Sequence, residues 1–96
     1  AGNAAEVSIS SKQFDEKDSL GKRLFVETVS PPCGVCHSLE AAGATGVVGP
    51  DLDTLKPDAR RIRTAIAQGV GTMPAYAEQM TDHEVTALVE FIVSSQ

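Results

Sequence analysis

Seven consecutive residues, Pro31-Pro32-Cys33-Gly34-Val35-Cys36-His37, hold both cysteines of the chain and one of its two histidines. Thiols at this spacing can form a redox disulfide, supply half of a zinc site, or be alkylated by a haem. A thioredoxin-like Cys-Gly-x-Cys must follow a buried strand of an α/β sheet. Here the preceding segment has a helical period and ends in two prolines. A structural zinc ion takes four Cys or His ligands. Cys33, Cys36, His37 and the distant His83 are the whole supply, and adjacent Cys36 and His37 would have to share one ion.

Haem attachment asks for less. In a helical turn Cys33, Cys36 and His37 fall at i, i+3 and i+4, on one face. Both thiols can then add across two vinyl groups while His37 serves the iron; Cys-x-x-Cys-His is the attachment signature of c-type haem. A second axial ligand must come from elsewhere. Met80 directly precedes the capping box Thr81-x-x-Glu84 and pairs with Val85 as a hydrophobic staple, so it has a structural task. Met73 lies in the loop Gly69-Val70-Gly71-Thr72-Met73-Pro74-Ala75-Tyr76 with no apolar stripe to join. Gly69 and Gly71 let that backbone bend over a flat cofactor, and Pro74 stiffens it. Met73 is the better candidate. His83, in the first turn of a capped helix, reads as solvent-facing.

The elements that must hold these residues are helical. Leu20, Gly21, Leu24, Phe25 and Thr28 form one stripe of a helix beginning near Asp15 or Asp18, either of which can cap it. Pro31 and Pro32 end it. Gly21 is unfavourable inside a helix by roughly 1 kcal/mol against Ala, which suggests close approach of another backbone. Residues 43–53 read as loop. Pro57 and Asp58 occupy the N1 and N2 positions of a second helix, with Ile62, Ala65 and Ile66 as its stripe and Gly69 just past its end. Val85, Leu88, Val89 and Ile92 face inward from a terminal helix, with Phe91 beside them. No strong strand pair and no repeat appears, so the fold class is all-α.

The chain has 96 residues, no Trp, one Tyr and three Phe. So small a domain has a limited core, and a large apolar cofactor would fill what aromatic side chains do not. A net charge of −5 and a pI near 4.8 argue against nucleic acid, which needs clustered Lys and Arg. The local exception is Arg60, Arg61 and Arg63, a solvated face or a patch for a haem propionate or a partner. No run approaches the ~20 apolar residues of a membrane span. The start at Ala1 reads as a mature end left by processing, with a signal peptide already removed.

The order of "CGVCH" at 33–37, "GPDL" at 49–52, "GTMPAY" at 71–76 and an amphipathic last helix resembles the class I monohaem c-type cytochromes in their small bacterial form. The resemblance spans roughly residues 15–95. It implies a small cytochrome c fold, with three main helices wrapped around one covalent haem c. Residues 1–14 would be a flexible arm and residues 15–96 the cytochrome c domain. It further implies thioethers at Cys33 and Cys36, His37 and Met73 as axial ligands, and a His37 Nδ1 hydrogen bond to the carbonyl of Pro50. Gly21 and Phe25 would meet Phe91 where the first and last helices cross. The implied function is one-electron transfer between periplasmic redox partners, without enzymatic activity. The stretches 44–62 and 69–76 more loosely resemble the cytochrome partners of bacterial molybdenum sulfite dehydrogenases, which makes a periplasmic dehydrogenase an alternative, dedicated partner.

Overall fold

The computed structural model describes residues 20–96. The arm and both candidate caps, Asp15 and Asp18, lie outside these residues. A first helical segment, α1, covers 20–28, and its last five residues, Leu24–Thr28, are wound as a π-helix. A single turn, α2 (Cys33–Cys36), follows the prolines. Strands β1 (Ser38–Leu39) and β2 (Ala44–Thr45) pair antiparallel around a 3₁₀ turn at Glu40–Ala42, in the register Ser38 to Thr45 and Leu39 to Ala44. Then come α3 (Leu52–Leu55), α4 (Ala59–Gln68) and α5 (Asp82–Ser94).

The chain is mostly helical, as its periodicity predicts, with four departures, one being that the loop expected at 43–53 holds β2 and the start of α3. Thr28 is not on the buried stripe: it is exposed, and its Oγ1 donates to the Arg23 carbonyl at 3.1 Å. The wider π-turn moves the inward position on by one residue, and Val29 is buried instead. Asp58, not Pro57, governs the start of α4. It is the N-cap, and its Oδ1 accepts the Arg61 N–H at 2.8 Å, while Pro57 is buried one residue earlier. The small β1–β2 pair also falls where the sequence shows no strong strands. Two-residue strands are too short to show alternation.

The core joins α1, α4 and α5. Leu24 and Phe25 from α1 are fully buried, Ile62 and Ile66 come from α4, and α5 adds Leu88, Val89, Phe91 and Ile92. Each such side chain contributes roughly 1.5–3 kcal/mol on burial. At the α1–α5 crossing, a Cβ on Gly21 would collide with Phe91 and come within 2.7 Å of the Ala87 carbonyl oxygen. The unfavourable glycine is explained by that contact. One turn on, Phe25 and Phe91 meet edge to face, with centroids 6.2 Å apart and planes at 63°.

Short polar devices fix the remaining helix ends. The capping box of α5 is complete: Thr81 Oγ1 accepts from Glu84 N at 3.2 Å and Glu84 Oε1 from Thr81 N at 2.8 Å. Met80 is buried in the core and Val85 packs against it. Gly69 closes α4, its N–H returning to the Ala65 carbonyl at 2.8 Å. Arg63 reaches across from α4 to Thr86 on α5, Nη2 to Oγ1 at 3.2 Å.

Candidate functional site

A cleft of about 760 Å³ opens between α2, the segment leading into α3, α4 and the loop after α4. Cys33, Cys36 and His37 stand on one wall, Gly49 and Pro50 adjoin them, and Met73 belongs to the same cleft. The five candidate site residues, Cys33, Cys36, His37, Pro50 and Met73, therefore share one cleft. Met80 is not among its walls, and His83 is exposed.

The attachment motif is shaped by Pro32, whose extended backbone (φ −60°, ψ 144°) precedes the single turn of α2. The turn ends at Cys36. His37 is its extended C-cap (φ −115°, ψ 137°) and closes it by donating its N–H to the Cys33 carbonyl at 2.9 Å. His37 thus leaves the helical geometry that its i+4 spacing suggests, while remaining beside both thiols. Cys33 and Cys36 are free thiols, each half-buried. Burial pushes the Cys33 thiol up to about 11; its backbone hydrogen bond lowers it, and the Cys36 charge raises it further.

The four residues of "GPDL" each have a separate task. Gly49 lies against the His37 ring, where a Cβ would come within 2.7 Å of Nδ1, and its own N–H donates to the Cys36 carbonyl at 2.7 Å. The Pro50 carbonyl oxygen sits 2.8 Å from His37 Nδ1. A carbonyl only accepts, so Nδ1 carries a proton, and in the neutral imidazole the lone pair is then on Nε2. Asp51 caps α3, its Oδ1 accepting from Asp53 N at 3.0 Å. Leu52 enters the core. Asp53 then returns to the β1–β2 turn, its Oδ2 accepting the Glu40 N–H at 2.8 Å.

The Met73 side is a compact loop. Val70 and Met73 exchange both backbone hydrogen bonds, at 3.0 and 2.8 Å, and the Tyr76 N–H returns to the Ile66 carbonyl on α4 at 2.7 Å. Two contacts that sequence reasoning missed bind this loop to the cysteine segment. Tyr76 Oη donates to the Pro31 carbonyl at 2.6 Å. The Gln79 side-chain amide brackets Ser30, accepting from its N–H and donating to its carbonyl, both at 2.8 Å. These partners lie 45 and 49 residues apart, and no local pattern announces them. Burial foremost, then the two thiols, raises the Tyr76 pKa above the ordinary 10.0.

Arg60, Arg61 and Arg63 separate in space. Arg60 and Arg61 belong to the cleft walls, whereas Arg63 is the residue that bonds Thr86. Val35, Pro74 and Ala75 are exposed near the cleft.

The donor set suits a haem. Two free thiols, one imidazole with its lone pair on Nε2 and one soft thioether share a cleft of cofactor size with apolar walls such as Phe25, Leu52, Ile62 and Ile66. Among the described residues no group of three or more His, Cys, Asp or Glu side chains could hold a bare metal ion, which argues against zinc. A helix and a single turn, not a central strand, precede the second cysteine, which argues against a thioredoxin-like site. No helix among the described residues is long and apolar enough to cross a membrane.

Known proteins agree with this chemistry. The family model described as cytochrome c oxidase, cbb3-type, subunit III matches residues 17–92. Cytochrome c-551 of Halorhodospira halochloris is 33% identical over 76 residues, covering 78% of this chain and 96% of that protein. The crystal structure of the c-type cytochrome SorU from Sinorhizobium meliloti matches with a TM-score of 0.79 at 44% identity, covering 84% of this chain and 92% of the other. With the attachment motif and the cleft in the same molecule, these matches establish that the chain belongs to the class I monohaem c-type cytochromes, electron carriers with one covalently bound haem c.

Proposed function

We propose that Cys33 and Cys36 form the two thioether bonds to the haem, that His37 and Met73 are its axial ligands, and that the Pro50 carbonyl orients the His37 ring. The observation that carries this assignment is the 2.8 Å contact between His37 Nδ1 and Pro50 O, which leaves Nε2 as the ring nitrogen available to the iron in a cleft shared with both thiols and Met73. Bound there, the haem supplies a one-electron Fe(II)/Fe(III) couple. The thioether of Met73, a soft ligand, favours the reduced state and raises the potential. Apolar walls act in the same direction by disfavouring the more charged oxidised form. Arg60 and Arg61 are the cations available to the two haem carboxylates.

With His37 and Met73 both holding the iron, no open coordination site would be left for a substrate, which supports a carrier and not an enzyme. Electrons pass to and from protein partners in the periplasm. Gly34, Val35, Pro74 and Ala75 are small residues that allow close approach, and redox encounters use small interfaces. The net charge of −5 suits a partner with a basic or largely apolar face.

A dedicated partner is the second reading. The likeness of residues 44–62 and 69–76 to the cytochrome partners of sulfite dehydrogenases favours a periplasmic dehydrogenase of that kind as electron donor.

The assignment is tested with the reduced spectrum, a haem stain after denaturing electrophoresis, and the sulfur-to-iron band of the oxidised protein. Haem that washes away in denaturant overturns the thioethers, and an absent band overturns Met73. Co-purification with a dehydrogenase separates the dedicated subunit from the free carrier. Electron-transfer rates that fall with added salt identify electrostatic docking.

A further inference from the structure

We propose that Gln79 and Tyr76 form a clasp that holds the Met73 loop closed over the iron, so that both are positioning residues for a ligand they do not touch. The inference rests on the reading of Met73 as an axial ligand. Three side-chain hydrogen bonds carry it, and all three join residues 76–79 to residues 30–31. One end of the clasp begins three residues after Met73, and the other ends two residues before Cys33. Closing it draws the methionine side of the cleft and the thiol side together.

Among the described residues no other hydrogen bond of the loop spans this gap. The Val70–Met73 pair is internal to the loop, and the Tyr76 N–H bond ties it back to α4. The Ser30 amide and carbonyl are both taken by one Gln79 side chain, so a single residue closes the loop at two points. Tyr76 is buried while Ser30 and Gln79 are exposed, which places the clasp at the rim, where the loop can open without unfolding the core.

An exogenous ligand reaches the iron only when Met73 has left it. Its apparent affinity therefore scales with the fraction of molecules whose loop is open. The experiment titrates the oxidised, full-length holoprotein with imidazole and follows the sulfur-to-iron band. Gln79→Ala should bind imidazole roughly five- to tenfold more tightly than the wild type, the effect of losing two exposed hydrogen bonds. Gln79→Glu keeps the acceptor for the Ser30 N–H but loses the donor, and should fall between them. Tyr76→Phe removes the third bond and should act in the same direction.

Thr81→Ala is the control. It removes the cap of α5, lowers the denaturation midpoint, and should leave imidazole affinity within about twofold of the wild type. Unchanged affinity in Gln79→Ala, with the band present in both proteins, overturns the clasp. An equal gain in Thr81→Ala also overturns it, because general loosening then suffices. A wild-type protein without the band overturns the reading of Met73, and the clasp with it.

Discussion

Gly49 leaves no room for a side chain beside His37: a Cβ there would overlap the imidazole, 2.7 Å from Nδ1 and 2.9 Å from Nε2. The same ring is held by Pro50, the next residue, through the 2.8 Å bond to Nδ1. Gly49→Ala should therefore push the ring off the Pro50 carbonyl. Overpacking of this kind destabilises by about 1–3 kcal/mol. The signature should be a lowered denaturation midpoint together with a changed reduction potential, measured by voltammetry; an altered midpoint with an unaltered potential would mean the ring had not moved.

The two methionines should separate cleanly. Met73→Ala removes a cleft residue and should abolish the sulfur-to-iron band and lower the potential. Met80 is a core residue, and Met80→Ala should keep the band while losing about 2–5 kcal/mol of stability in urea titration.

At the α1–α5 crossing, helix propensity and packing make opposite predictions. Gly21→Ala gains about 1 kcal/mol from propensity alone. Its methyl group meets Phe91 and the Ala87 carbonyl, neither of which is a flexible tip. Packing should win, and thermal denaturation should show a net loss of stability.

The start of α4 is tested at Asp58. Asp58→Ala should lose about 1 kcal/mol, and Asp58→Asn much less, because asparagine still offers an oxygen to the Arg61 N–H. Equal losses in the two variants would show that the carboxylate charge, and not the cap bond, is what matters.

How much of this was readable beforehand depended on how local each signal is. The attachment motif, the Met73 loop, the capping box and the apolar stripes of α4 and α5 are encoded in runs of a few residues, and they appear where the sequence places them. Gly21 could be marked as anomalous because a helical glycine is unfavourable wherever it occurs. The exchange of Thr28 for Val29 was not legible, since a π-turn adds one residue without changing the composition of the stripe. Asp58 and Pro57 are adjacent, and both are common at helix starts, so the pattern alone did not rank them. The Gln79–Ser30 bracket joins residues 49 apart and has no sequence signature at all.

Phe25, Leu52, Ile62, Ile66 and Ile92 are at once core residues and walls of the cleft. Their double membership links two properties that an engineer would prefer to adjust separately. Substituting any of them to retune the redox couple also edits the packing of the fold. Val48, Leu55 and Val70 line the cleft from outside the core, each with substantial exposure. Those three positions are where the potential can be varied with the scaffold left alone.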